Sequence, residues 1–218
     1  MTRYEDTTET RQAIIDACRW MNDRGINQGT SGNISVRVPG AILITPSGVP
    51  YDRMTPDMIV RLVTEGEPDM SGDLRPSTEW RFHQYLMAAR PDVSAAVHAH
   101  PAHCTAVAMQ GQPIPACHYM IAAFGGNDVP ITPYALFGSA ELAGYVADAM
   151  RDRHGCLMAS HGATVVGESL DRALWRMEEL ENLARVYLLS RMSGEPVLLT
   201  DAQMEEVIAA FSNYGPGK

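Results

Sequence analysis

A chain of 218 residues is long enough to bury one sizeable core and does not demand a second domain. With 45% hydrophobic and 20% charged residues it has the make-up of an ordinary globular protein, and a net charge of −9 leaves no electrostatic footprint for nucleic acid or an anionic membrane. A small anion bound by so acidic a chain must be held by local backbone amides or by a metal. No apolar run reaches the length of a membrane span, and the start, Met1 to Asp6, has no apolar leader. The four cysteines (Cys18, Cys104, Cys117, Cys156) lie far apart without a CxxC, so reduced thiols in the cytoplasm are expected.

After a Thr-rich opening, Ile14, Ile15, Cys18 and Met21 recur at helical spacing, with Gly25 placed to stop the helix. Asn27 to Asn33 is a loop by composition. Ile34–Arg37, Ala41–Ile44 and Ile59–Val63 read as strands, with the turn-rich Thr45–Pro50 between the last two. Glu79 to Arg90 is expected to be a helix with Ser77 or Thr78 near its N-cap. Val93 to Val97, small and apolar, runs as a buried strand into His98-Ala99-His100, and a helix follows from Pro101 to Met109. Ala140–Met150 reads as helix, Gly155–Ser160 as a buried strand, Leu170–Leu189 as a long amphipathic helix and Ala202–Phe211 as a short last one. Turns, not crossovers, join the early strands. The expected fold is one α/β domain with a mostly antiparallel central sheet flanked by helices.

Two histidines at i and i+2 on a strand point to one face, about 7 Å apart at Cα, so His98 and His100 can converge on one divalent metal. His161, ending the Cys156–Ser160 run and followed by Gly162, is a third candidate. Three neutral imidazoles leave a zinc ion an open position, the mark of a catalytic site. His83, His103, His118 and His154 read as satisfied or solvated histidines. Glu79 has a bland explanation in the helix dipole, but beside a metal it can serve as ligand or general base. Gly29-Thr30-Ser31-Gly32-Asn33 and Thr45-Pro46-Ser47-Gly48 look like anion cradles, although each alone could be a plain turn. Neither contains a GxxxxGK[ST] phosphate loop.

Taken together, Gly29–Arg37, Ile44–Tyr51, Ser77–His83, Val97–His100, His118–Gly126, Pro133–Gly138 and Ser160–Gly162 make the chain resemble the class II aldolases of the L-fuculose-phosphate aldolase type. That group includes methylthioribulose-1-phosphate aldolases and shares its fold with adducin. The resemblance runs from Gln28 to Tyr214, so residues 1–218 are expected to form one such domain. It implies a zinc enzyme that reversibly cleaves a ketose 1-phosphate to dihydroxyacetone phosphate and an aldehyde. One Zn²⁺ per subunit is implied, with Mn²⁺ or Co²⁺ as alternatives.

Carried over by position, His98, His100 and His161 are the zinc ligands, and Glu79 is both a ligand and the proton carrier. Gly32, Asn33, Ser47, Gly48, Ser77 and Thr78 fall on phosphate-binding positions. Tyr119 matches a tyrosine acting at the aldehyde oxygen. Phe137 and Tyr214, in a tail of about residues 212–218, match groups around the aldehyde end. A homotetramer with sites at subunit interfaces is implied. Phe124 stands where the family often has a small residue, a change expected to alter packing near the aldehyde pocket.

Cleavage beside a carbonyl leaves carbanion charge that a Lewis acid can stabilise, and a chain whose one lysine is Lys218 offers no Schiff-base alternative. Candidate substrates are 5-deoxyribulose 1-phosphate, 5-methylthioribulose 1-phosphate and L-fuculose 1-phosphate, the first two pointing to methylthioadenosine salvage. Rival readings are a pentulose-5-phosphate 4-epimerase, whose members typically carry aspartate where Glu79 stands, and a methylthioribulose-1-phosphate dehydratase. From another class comes a non-enzymatic adducin-like interaction module, against which the three histidines and Glu79 speak.

Overall fold

Short runs of β-branched and small apolar residues decide the sheet. The computed structural model describes residues 4–212. Its strands are β1 (Asn33–Val38), β2 (Ala41–Ile44), β3 (Val60–Val63), β4 (Ala95–Ala99), β5 (Ile131–Thr132), β6 (Gly155–Met158) and β7 (Gly162–Gly167). They form one seven-stranded sheet in the order β3-β2-β1-β4-β7-β6-β5. Only β5 and β6 run parallel; the other neighbours are antiparallel. The helices are α1 (Thr8–Asp23), α2 (Trp80–Ala89), α3 (Ala102–Ala108), α4 (Ala140–Ala149), α5 (Leu170–Arg191) and α6 (Asp201–Ser212). The mostly antiparallel α/β domain read from the sequence is the one that forms.

Strand alternation sorts the side chains into two cores. Ile34, Val36 and Val38 of β1 and Ala95, Val97 and Ala99 of β4 pack with residues of α1, α3 and α5. Ala96 of β4 and Ile42 and Ile44 of β2 pack with α2 and α4 through Trp80, Phe82, Leu86, Leu142 and Val146. Each fully buried large side chain contributes about 1.5–3 kcal/mol, so the polar residues admitted among them must be hydrogen-bonded. Asn33 and Ser35 of β1 and His98 of β4 take the alternate positions, and Asn33 lies directly opposite His98 in the register. The polar residues of the site therefore share the face that α2 covers.

Three local expectations change. The N-cap of α2 is Glu79 rather than Ser77 or Thr78, and its side chain makes no capping bond; Ser77 Oγ instead accepts from the Glu79 N–H at 3.3 Å. The strand expected to reach Ser160 stops at Met158, because a tight turn at residues 159–161 leads into β7, a strand that periodicity did not announce. Ser160 sits in the left-handed region at φ 53°, a conformation that costs a non-glycine residue on the order of 1 kcal/mol and clusters at functional sites. Phe124 is fully buried in the core, against Gly155, rather than near a substrate pocket.

Gly162 opens β7 where no side chain fits. A Cβ there would stand 2.6 Å from the Ala99 carbonyl oxygen and 2.7 Å from His100 Cδ2. Gly162→Ala is expected to cost about 1–3 kcal/mol in urea unfolding, the range for overpacking, and to displace the His100 ring. Wild-type stability would remove the close approach from the account.

Candidate active site

The three candidate histidines meet, although they come from two separate turns of the chain. His98 is fully buried in β4, His100 lies just past the strand end, and His161 is carried by the β6–β7 turn. Their ring centroids form a triangle with sides of 4.9 Å, and one nitrogen from each lies within 4.8 Å of the other two. Among the described residues this is the His/Cys/Asp/Glu group arranged to hold a metal ion.

The hydrogen bonds around His98 decide its tautomer. Its Nδ1 lies 2.9 Å from the Ala163 carbonyl oxygen and 3.1 Å from Thr164 Oγ1. A carbonyl only accepts, so Nδ1 carries the proton, and in the neutral ring Nε2 presents a lone pair. That lone pair faces His100 Nε2 at 3.0 Å and Glu79 Oε2 at 3.1 Å. His161 Nε2 lies 3.3 Å from Glu79 Oε1, an oxygen that is buried with no hydrogen-bond partner. A nitrogen lone pair and a carboxylate attract each other only through an intervening cation. A divalent metal satisfies all four groups together, so the donor set fits one.

Electrostatics agree with that use. Burial, reinforced by the neighbouring imidazoles, pushes His100 and His161 down to about 4, so both are neutral donors at pH 7. For Glu79 burial works upward, but the positive charge of His98 and His161 when their rings are protonated, together with the Asn33 amide, outweighs it and holds the carboxyl well below the usual carboxylate range; a metal on the neutral rings would supply the same charge. Glu79 is thus a buried, ionised carboxylate aimed at imidazoles rather than at its own helix. Asn33 Nδ2 donates to Glu79 Oε2 at 2.9 Å, and Asn33 Oδ1 meets His83 Nε2 at 2.5 Å.

A cleft of about 380 Å³ opens over this cluster, lined by Ser31, Thr78, Glu79, His100, His161 and the aromatic pair Tyr134 and Phe137, among others. Its volume lies within the range of small-molecule sites. Phe137 is in the cleft, as expected; Tyr134, Ser31 and Ser160 line it as well, residues that lie in the sequence motifs but carry no role of their own there. The loops at 45–47 and 75–77 run side by side, the Ser47 N–H donating to Arg75 O and the Ser77 N–H to Thr45 O, each at 2.9 Å.

One of the residues expected to bind phosphate has other employment for its side chain. The Asn33 carboxamide is committed to Glu79 and His83. Gly32 is buried, its carbonyl accepts from the Tyr51 hydroxyl, and a Cβ there would press on the His98 carbonyl oxygen at 2.8 Å. Gly48 takes φ +70°, as its glycine allows. Tyr119 is half exposed beside His118 and Phe211 and does not line the cleft of its own chain. Tyr214 lies outside the described residues.

Residues 12–188 match the family described as Class II Aldolase and Adducin N-terminal domain. The chain is 46% identical over 203 residues to the L-fuculose phosphate aldolase of Escherichia coli O6:H1 (strain CFT073), covering 93% of this chain and 94% of that one. It is 44% identical to the 5-methylthioribulose-1-phosphate/5-deoxyribulose-1-phosphate aldolase of Rhodospirillum rubrum, over 94% of this chain and 92% of that one. A solved L-fuculose 1-phosphate aldolase superposes with a TM-score of 0.89 at 35% identity, over 94% of this chain and 97% of that chain. A seven-stranded, mostly antiparallel sheet carrying a tri-histidine cluster thus places this chain in the class II aldolase and adducin family. Within that family it is an enzyme, an aldolase of the metal-dependent class. Among the described residues no helix is long and apolar enough to cross a membrane.

Proposed function

We propose that this chain is a zinc aldolase that reversibly cleaves a ketose 1-phosphate to dihydroxyacetone phosphate and an aldehyde. The observation that carries the reading is the ionised Glu79 carboxylate set between His98 and His161 at the floor of the cleft. His98, His100 and His161, with Glu79, would hold the metal. When bound, the cation supplies Lewis acidity for the negative charge that develops as the C3–C4 bond breaks. Glu79, ionised at rest, removes the proton from the dihydroxyacetone phosphate carbon in the condensing direction and returns it in cleavage. The Ser47 and Thr78 hydroxyls, the Gly48 amide and the Ser77 segment would take the phosphate without a lysine.

Tyr119 stands away from its own cleft, which supports its acting at the aldehyde oxygen in the cleft of a neighbouring copy. A homotetramer with sites at subunit interfaces meets that requirement. The aldehyde end would lie against Phe137, with the tail and Tyr214 closing it, so that residues 1–218 work as one domain. The relatives named for L-fuculose 1-phosphate and for 5-methylthioribulose and 5-deoxyribulose 1-phosphates support those three as candidate substrates. The latter two would place the enzyme in methylthioadenosine salvage, in the cytoplasm. The test is a panel of ketose 1-phosphates differing at C5, incubated with the zinc-loaded protein and assayed for triose phosphate release. Zinc-dependent release from at least one is expected. An epimerised product without triose, or loss of water with the carbon chain intact, would overturn the reading.

A further inference from the structure

Beneath Glu79 lies a line of hydrogen bonds that the aldolase reaction does not itself require. Ser35 Oγ lies 2.7 Å from His83 Nδ1, His83 Nε2 lies 2.5 Å from Asn33 Oδ1, and Asn33 Nδ2 lies 2.9 Å from Glu79 Oε2. His83 is fully buried, Ser35 equally so, and Asn33 is 3% exposed. Chemistry fixes the direction of every bond. A carboxylate only accepts, so Asn33 turns its NH₂ to Glu79 and its oxygen to His83. His83 Nε2 must then donate. Burial holds the His83 ring neutral, its pKa down at about 3, so Nδ1 carries a lone pair and takes the Ser35 proton.

We infer that His83 is a positioning residue: through Asn33 it locks the Glu79 carboxylate so that Oε2, tied to Asn33, stays beside His98 while Oε1 faces His161. The inference rests on the metal-site reading of Glu79 given above. Without the His83 donor, the Asn33 carboxamide can flip and present its oxygen to the carboxylate, which repels it. Glu79 would then leave its place between His98 and His161. The local geometry fits this role. Asn33 and Ser35 are alternate residues of β1 and so share a face, while α2 sets His83, one turn after Glu79, against both.

The experiment measures Zn²⁺ affinity of the full-length protein by competition with a chromogenic chelator, alongside kcat and KM on whichever ketose 1-phosphate the wild type cleaves. His83→Leu, which keeps an apolar body but no donor, is expected to weaken zinc binding about 10-fold and lower kcat by about 10–100-fold, the scale for partners that orient a metal ligand. KM should change little. His83→Gln, whose side-chain NH₂ reaches the same oxygen, should restore both to within about three-fold of the wild type. Combining His83→Leu with Asn33→Leu should do no more harm than Asn33→Leu alone.

Multiplying effects in the double variant, or full zinc affinity and kcat in a folded His83→Leu protein, would overturn the assignment. If His83→Leu fails to fold, His83→Gln and Ser35→Ala decide. Glutamine at wild-type level with a measurable kcat loss in Ser35→Ala supports the line of bonds, and the reverse pattern sinks it. Zinc affinity needs no substrate. Absence of aldol cleavage would therefore refute the proposed function while leaving this inference to be judged on the metal alone.

Discussion

Replacing His100 by alanine is expected to leave a folded protein that no longer retains zinc and no longer cleaves a ketose 1-phosphate. Partners that merely orient a ligand command about 10–100-fold in metal affinity, so loss of a ligand itself should exceed the upper end of that range. The fold should survive because His100 lies past the end of β4, half-buried at the cleft rather than in either core. The metal-free variant should stay close to the metal-free wild type in stability. It loses only the 3.0 Å contact in which His100 Nε2 can donate to His98 Nε2, at the edge of the cleft. Metal analysis after dialysis, with urea unfolding of both apo proteins, checks both halves. Unchanged zinc stoichiometry would remove His100 from the ligand set.

Glu79→Gln separates proton transfer from metal binding. Glutamine keeps the shape and can still accept from Asn33 Nδ2, but it carries neither the charge nor a transferable proton. Measured at saturating zinc, turnover is expected to fall by about 10²–10⁴-fold, the usual contribution of a positioned acid–base group, while the three histidines still take up one zinc per chain, at lower affinity for want of the carboxylate. Exchange of the dihydroxyacetone phosphate carbon-bound hydrogen with solvent, measured without any aldehyde present, should fall by the same factor. Turnover within about ten-fold of the wild type would mean that another group moves the proton.

Much of the site was legible because its chemistry is written in short local spacings. The i, i+2 histidines on a small-residue strand needed only the two-residue period of a strand to converge, and the absence of lysine before Lys218 ruled out a Schiff base. Glu79 was harder to read. A glutamate at a helix start is ordinarily explained by the helix dipole, and only the packing of α2 on the β1–β4 face shows its carboxylate turned to His98 and His161. β7 escaped notice although Thr164-Val165-Val166 is β-branched, because that run is short and the glycines at both ends read as turn residues. Those glycines are there for close packing, since a Cβ at Gly167 would stand 2.6 Å from the Ala173 amide nitrogen.

His83 marks the same boundary. On its own helix it reads as a satisfied histidine, which it is, but its partners lie 48 and 50 residues away on β1. Likewise Asn33 ends a run of residues that looks built for an anion, yet it opens β1 and its carboxamide is spent on Glu79 and His83. By itself the sequence determined the family, the sheet's antiparallel habit and the three histidines that come together, because these depend on motifs and near-neighbour period. Only the tertiary structure decided which way Glu79, Asn33 and His83 point, and that Tyr119 stands away from its own cleft. Side-chain direction in a buried polar group is set by whichever partner satisfies it, and here those partners are brought in from distant parts of the chain.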